Sequence, residues 1–462
     1  MVHLLRRDGQ DLQILLGEPK AGVRNMFVPL LIAFAIVEVN QFVDTFWISG
    51  LGTSAASAIS TIVPFYFTLM SAGTGLSVGA TTAIAFRLGR GEQKEAGGLV
   101  SNSLLLGIAM SLLFSIILFI VLDPALSLMG ADEIREECWN YFLPYILLSI
   151  PLITLSVLGG TLRGEGAARR STIIQISAAL FNMVLDPILI YSIGLGLTGA
   201  GLATGLSALA AAAIGLSWYL RGKTVIRPEG IRPDLSKMRE IVTIGGPKTV
   251  NDVINGVMMY IQRIFFIVAG GPIAVMMYNY PWRFISLFNL PGRAFENGLV
   301  PVGSAAYGQR DSEKIWTAYK YSMKLTIAVS LVATAVIFFF AEPLMSIMTY
   351  ESSMHDVLPK LVWTLQVSVF LLPFMAIKGL GASLLQSMKK PKIPMYFELF
   401  WGSVRMVLYA ISAYGFLGVD PFDGIIYIMV GVYSLSGIII TALAVWQFRK
   451  MRVAIDGNAE PS

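Results

Sequence analysis

Two aspartates lie inside apolar stretches long enough to cross a lipid bilayer. Asp44 falls in LIAFAIVEVNQFVDTFWISG and Asp186 in IIQISAALFNMVLDPILIYSIG. A carboxylate in hydrocarbon is costly, so an intramembrane acid marks a functional site. Asn40 precedes Asp44 by one helical turn and Asn182 precedes Asp186 by one, each on the same helix face as its acid. At 1.5 Å of rise per residue, Asp44 and Thr204 lie roughly 9 Å, and Asp186 roughly 12 Å, from one common membrane face. Pro187 cannot donate to the Met183 carbonyl, which leaves an acceptor beside Asn182. Two close carboxylates resist ionising together, so this set suits a proton-sharing network. Its oxygens equally suit a cage for Na⁺ at Asp44, Asn182, Asp186 and Thr204, with Asn40 beside them, because hard cations take oxygen ligands. In a packing reading, the same acids are simply neutral and hydrogen-bonded between helices.

The elements that must carry these residues are membrane helices. Hydrophobic residues make up 55% of the 462 positions and charged residues 14%, against about 25% charged in soluble domains. The apolar runs are continuous and rich in Leu, Ala, Ile and Gly, which excludes a β-barrel. Twelve spans are expected, near 22–49, 57–86, 98–122, 138–162, 171–194, 199–220, 240–269, 273–306, 318–341, 358–387, 393–417 and 424–448. Nearly all Arg and Lys outside the spans fall on one side, and only Arg135 and Lys360 on the other. By the positive-inside rule both termini are cytoplasmic, at a cell membrane. The pI near 9.1 is therefore topogenic, and no nucleic-acid partner is expected. Residues 1–21 read as a cytoplasmic tail, with a short amphipathic helix on the membrane surface and no cleavable signal. The remaining segments are a first lobe at 22–221, a linker at 222–239, a second lobe at 240–450 and a tail at 451–462.

The two lobes repeat one another. Residues 44–129 align with 263–348 at a constant offset of 219, pairing Gly52 with Gly271, Gly73 with Gly292, Gly79 with Gly298 and Gly89 with Gly308. Farther on, LGGTL (158–162) pairs with LGASL (380–384) and NMVL (182–185) with RMVL (405–408). Six spans per half give a parallel repeat, an arrangement that encloses a cleft and allows alternating access. The repeat mates of the acidic site differ in chemistry: Asp44 maps to Arg263, Asn182 to Arg405 and Asp186 to Tyr409. The second half is expected to bury Lys248, Asp252, Arg263, Arg283, Arg293, Glu296, Lys378, Glu398 and Arg405. Lys248 and Asp252 form an i,i+4 pair, and Glu296 and Glu398 are the candidate counter-ions of Arg263 and Arg405. The network either neutralises itself or acts as an ionic gate. Pro29 should bend the first span fifteen residues before Asp44. Met70, Met258, Met259, Arg263 and Asn255 are candidate substrate contacts, since methionine adapts to varied apolar ligands. Methionines at these positions equally fit plain core.

These residues resemble the multidrug and toxic compound extrusion (MATE) family. The resemblance rests on VDTFWISGLG after span 1, RLGRGEQKEA after span 2, LRGEGAARR after span 4, NMVLDPILI in span 5 and the two six-span halves. The paired first-half acids look like the prokaryotic DinF-type branch, archaeal or bacterial. The resemblance implies an all-α membrane protein of the MATE and MOP-flippase superfamily fold, two six-helix bundles in a V with a central cleft. It further implies cation-coupled antiport of amphipathic, often cationic compounds. Carried over residue by residue, it puts the first-bundle site on Asp44, Asn182, Asp186 and Thr204, and the helix bend at Pro29. Many relatives carry tyrosine where this chain has Asn40. Another branch has a cation-binding glutamate in span 7, where this chain reads NDVINGV (251–257) with Asn255 near that place.

The expected function is secondary active efflux, exchanging external H⁺ or Na⁺ for cytoplasmic compounds. No enzyme activity, no cofactor beyond the coupling ion, a monomeric state and lipids as the surrounding partner are expected. A lipid-linked-sugar flippase of the same superfamily is the alternative. An intramembrane aspartyl protease is disfavoured by the absence of YD and GxGD motifs, and an ATPase by the absence of a GxxxxGK[ST] loop.

Overall fold

The computed structural model describes residues 8–230, 232–347 and 356–456. His3, His355 and the start of the N-terminal tail lie outside the described residues. The described chain is helical and holds no strand. In order the helices are α1 (Asp8–Leu16), α2 (Pro19–Ser49), α3 (Thr53–Gly89), α4 (Gln93–Leu128), α5 (Arg135–Leu147), α6 (Ser149–Gly164), α7 (Ala168–Pro187), α8 (Gly196–Leu220), α9 (Leu235–Phe288), α10 (Leu290–Gly308), α11 (Ser312–Phe339), α12 (Ala341–Ser346), α13 (Leu358–Ser368), α14 (Leu371–Ser387), α15 (Lys392–Ala413) and α16 (Pro421–Asp456).

Three breaks in helical geometry follow from local sequence. The fourth expected span is two helices, α5 and α6, meeting at Leu148 with a bend of 55°. Pro151 has no N–H for the Leu147 carbonyl, so the ladder fails there. In α9 the backbone leaves the helix at Gly270 and Gly271, and Gly271 has φ 70°, a conformation that glycine adopts without strain. This is the break expected between spans 7 and 8. After Pro187 the chain widens into a π turn, Ile188–Ser192, closed by the Ile193 N–H on the Ile188 carbonyl at 2.9 Å. Among the described residues nine helices are long and apolar enough to cross a membrane, and the bent pair makes ten. The 54-residue α9 holds two arms. The remaining crossing is α15, which the charges of Lys392, Glu398 and Arg405 make less apolar. The protein is a multi-pass membrane protein of twelve spans, arranged as two pseudo-symmetric halves.

Packing of these helices inverts the pattern of a soluble bundle. In α4 the buried face is Ser103, Gly107, Ser111 and Ser115, while Leu112, Leu113, Ile116, Ile117 and Ile120 are exposed. Lipid is as apolar as leucine, so small residues that let backbones approach, and hydroxyls that bond across helices, make the interface. Ser115 accordingly donates to Ser149 Oγ at 2.7 Å. The same stripe recurs in α11 as buried Ser322, Thr326, Ser330 and Thr334, each 219 residues on. The repeat therefore extends to the packing face itself.

The chain forms two compact units, one of Met1–Val253 with Pro301–Asp311, the other of Ile254–Val300 with Ser312–Ser462. In the first, α3 crosses the first arm of α9 through glycines. A Cβ on Gly245 would lie 2.2 Å from the Gly75 carbonyl oxygen, and one on Gly79 would lie 2.5 Å from that of Ile241. Residues 222–239, expected as a linker, are fastened to this unit. The Asp234 N–H donates to Asn102 at 2.8 Å, the Ile226 N–H to Glu165 at 3.2 Å, and Lys237 reaches Glu95 at 3.3 Å. Helix α1 is docked on protein. Leu15 is buried, Leu12 packs on the core, and Gln309 donates to the Leu16 carbonyl at 3.0 Å. In the second unit the core is aromatic around Phe266, Tyr409 and Phe422, with a separate aliphatic cluster of Ile285, Ile337, Leu365 and Leu372.

Overpacking a tight helix crossing costs about 1–3 kcal/mol. Gly245→Val is therefore expected to lower the melting temperature of the detergent-purified protein, whereas Gly256→Ala, with nothing within 4 Å of the added Cβ, leaves it unchanged. Equal melting of the two variants would refute the crossing.

Candidate functional site

Helices α2 and α7 of the first unit pack along one another and bring the four polar residues together. Asn40 Nδ2 donates to Asp44 Oδ2 at 3.1 Å and, across the helix pair, to Asn182 Oδ1 at 2.8 Å. Asn182 Nδ2 in turn donates to Asp186 Oδ1 at 3.0 Å. The result is one chain, Asp44–Asn40–Asn182–Asp186, running between the two helices. Asn182 and Asp186 are buried at 4% and 2% exposure. Asp186 also stands beside the Asp44 carboxyl. Two buried oxygens one turn apart, Asp44 Oδ1 and Asn40 Oδ1, accept no hydrogen bond. Helix α2 runs through Pro29 as one element, and the π turn follows Asp186 directly.

Thr204 does not bond the acids or amides. Its hydroxyl bonds the Ala200 carbonyl at 3.2 Å and Tyr145 Oη at 3.3 Å. Tyr145 donates to Tyr141 Oη at 3.1 Å, and its ring meets that of Tyr66 edge-on at 5.1 Å. Tyr66, Tyr141 and Tyr145 all lie within electrostatic reach of Asp44. This tyrosine cluster was not foreseen. Its only sequence signal is the i,i+4 spacing of Tyr141 and Tyr145, and that spacing does not say which face of the helix meets the acids.

The charged residues of the second half are arranged differently from expectation. Lys248 and Asp252 do pair, but within the first compact unit, where Asp252 also accepts from Thr74 at 2.8 Å. Arg263, Arg283 and Arg293 are exposed, so the reading of them as buried is corrected. The long apolar stems of arginine let these charges leave the packed interior of a span. Glu398 pairs with Lys378 at 2.5 Å. Glu296 packs against Gly379. Arg405 lies over the Tyr433 ring at 4.8 Å. Among the proposed substrate contacts, Met70 packs on the first core and Met258 on the second, Asn255 is half-buried, and Met259 is exposed.

The fold and this buried polar chain define a carrier with ionisable groups inside a helical membrane domain. The MatE family model matches residues 29–188 and again 252–411, once in each half. The chain belongs to the MatE family of membrane transporters. It is 28% identical to the FAD transporter of Shewanella oneidensis over 341 residues, 71% of this chain and 74% of the relative. It is 26% identical to the multidrug export protein MepA of Staphylococcus aureus over 315 residues, 67% of this chain and 68% of that one. A solved outward-facing multidrug resistance MATE family transporter of the MOP superfamily shares the fold with a TM-score of 0.90. That likeness covers 96% of this chain and 99% of the other at 24% identity.

Removing one partner of a buried hydrogen bond leaves the other unsatisfied, at about 1–3 kcal/mol. Asn40→Leu takes the donor from Asn182 and Asp44 together, so it should melt earlier in detergent than the wild type. Asn182→Leu should do the same, and the double variant should lose less than the sum of the two. Strict additivity would show that the amides do not bond each other.

Proposed function

We propose that this transporter exports amphipathic, often cationic, organic compounds in exchange for external H⁺ or Na⁺, by alternating access. The observation that carries the proposal is the pair of buried, donorless oxygens on Asp44 and Asn40 at one end of the Asp44–Asn40–Asn182–Asp186 chain. Buried polar atoms are almost always satisfied, and an oxygen without a donor is satisfied by a cation. A proton on Asp44 converts it from acceptor to donor and lets it bond Asp186. A Na⁺ ion would use the same oxygens directly. Either event alters the bonds by which Asn40 ties α2 to α7, so ion occupancy changes the contact between two helices. Pro29, in the same helix as Asp44, is the place where α2 bends in response. Tyr145 and Thr204 border the site and hold its wall through their hydroxyl chain.

The excess of Arg and Lys on one side supports cytoplasmic termini. Exchange of one proton for one monovalent cation moves no net charge, so the pH gradient alone drives it. A neutral substrate would add the membrane potential, about 2.3 kcal/mol per charge at 100 mV. The likeness to MepA supports multidrug cargo. The likeness to the Shewanella FAD transporter favours a second reading, export of an aromatic nucleotide.

Proteoliposomes containing the full chain test both readings. They would be loaded with ethidium or with FAD, and pH and Na⁺ gradients would be imposed separately. Ethidium efflux on one gradient is expected, falling at least about tenfold in Asp44→Asn and in Asp186→Asn, as for loss of a charge-assisted interaction. Efflux of FAD in place of ethidium would select the second reading. Efflux insensitive to both substitutions would remove the acids from the mechanism.

A further inference from the structure

Among the described residues of the second unit, one buried charge has no ion-pair partner. Arg405 on α15 is 6% exposed, and its Nε is buried without an acceptor. No carboxylate lies within ion-pair distance of it among the described residues. The nearest acid on its own helix, Glu398, is held by Lys378 at 2.5 Å, and Glu296 is packed against Gly379. One turn beyond Arg405, Tyr409 is fully buried, and its hydroxyl also has no partner. Aromatic rings line the guanidinium, and the charge of Glu398 reaches it without pairing with it. The Tyr433 ring covers it at 4.8 Å, and Tyr278 stands nearby, stacked on Phe266 at 4.7 Å and on Trp282 at 5.5 Å.

A buried charge without a direct ion-pair partner is unfavourable, and a ring face does not replace an anion. The internal repeat adds a second, independent observation. Arg405 and Tyr409 occupy the positions that Asn182 and Asp186 hold in the first half, at an offset of 223. The repeated frame thus carries carboxylates in one half and donors in the other.

We infer that Arg405 and Tyr409 form an anion site inside the second unit, built for a carboxylate, phosphate or sulfonate group borne on an aromatic or apolar body. The guanidinium presents a fork of N–H donors that matches an oxyanion, and the Tyr409 hydroxyl adds one more donor. Tyr278, Phe266 and Tyr433 supply ring faces for the attached body. The bound anion supplies the direct ion-pair partner that Glu398, paired with Lys378, does not provide. The site takes its transport context from the proposed function, but it is defined by binding alone. Its failure would leave ion-coupled efflux standing, and the reverse also holds.

The test is equilibrium binding to the full chain in phosphatidylcholine nanodiscs, with 4-methylumbelliferyl phosphate as the anionic probe and 4-methylumbelliferyl glucoside as its neutral match. The phosphate should bind about tenfold tighter than the glucoside, the ratio expected of a charge-assisted pair. Arg405→Gln should abolish that preference, Arg405→Lys should keep part of it, and Tyr409→Phe should weaken it. In the absence of probe, Arg405→Gln should melt higher than the wild type, because it removes a buried charge without a direct ion-pair partner. Repeating the binding in phosphatidylglycerol nanodiscs separates the sources of the anion. Competition there assigns the site to a lipid headgroup, and its absence assigns it to a soluble amphipathic anion. Equal binding of the two probes by the wild type, or an unchanged preference in Arg405→Gln, overturns the inference. If Arg405→Gln does not fold, the matched probes on the wild type and on Tyr409→Phe decide it.

Discussion

Hydrocarbon offers no hydrogen bonds, so every polar group taken into it must find its partner within the protein. This constraint organises the whole molecule. It explains why α4 and α11 turn serines, threonines and glycine inward and leucines and isoleucines outward. It explains why Asn40 and Asn182 bond across the helix pair as well as to the acid one turn on along their own helices. It also explains why Lys378 and Glu398 stand together at 2.5 Å. Most polar groups in the spans obey the rule. Some do not: Ser322 and Thr326 in the α11 stripe lack a partner, and Asp44 Oδ1, Asn40 Oδ1, Arg405 Nε and Tyr409 Oη lack one beside ionisable groups, where chemistry with something other than the protein can satisfy them.

The two halves show how one frame can hold opposite chemistry. Their family matches, their glycine positions and their small-residue stripes coincide. Packing is therefore the shared inheritance of the repeat, because the close approach of helix backbones tolerates little change. The polar residues at equivalent positions have diverged, carboxylates and amides in one half and a guanidinium and phenol in the other. A helix pair set by small residues leaves the facing side chains free to differ, so function diverges on an unchanged scaffold.

Glycine and proline mark where this scaffold departs from straight helices. Gly271 permits the break in α9, Pro151 interrupts the bent fourth span, and Pro187 precedes the π turn beside Asp186. In each case the residue either reaches a conformation closed to others or withholds a backbone donor. The acidic site thus sits next to irregular backbone, where a change in bonding is least opposed by the helical ladder.

Much of this was legible in the chain itself. Run length and charge placement determine the twelve spans, because the membrane imposes one dimension and one sign rule on any sequence. The constant offset of the repeat determines the two halves. Helical periodicity pairs Asn40 with Asp44 and Asn182 with Asp186. Tertiary structure alone decided what crosses between helices. It joined Asn40 to Asn182, brought Tyr66, Tyr141 and Tyr145 within electrostatic reach of Asp44, and linked Thr204 to Tyr145 and not to the acids. It also exposed Arg263, gave Glu398 to Lys378, left Arg405 under a tyrosine ring, and fastened residues 222–239 to the first unit. The physical reason is that spacing along one helix defines its faces, whereas the rotation of each helix against its neighbours is set by the sum of many small packing contacts. That rotation selects which face meets which, and so which polar group finds a partner and which is left to bind something else.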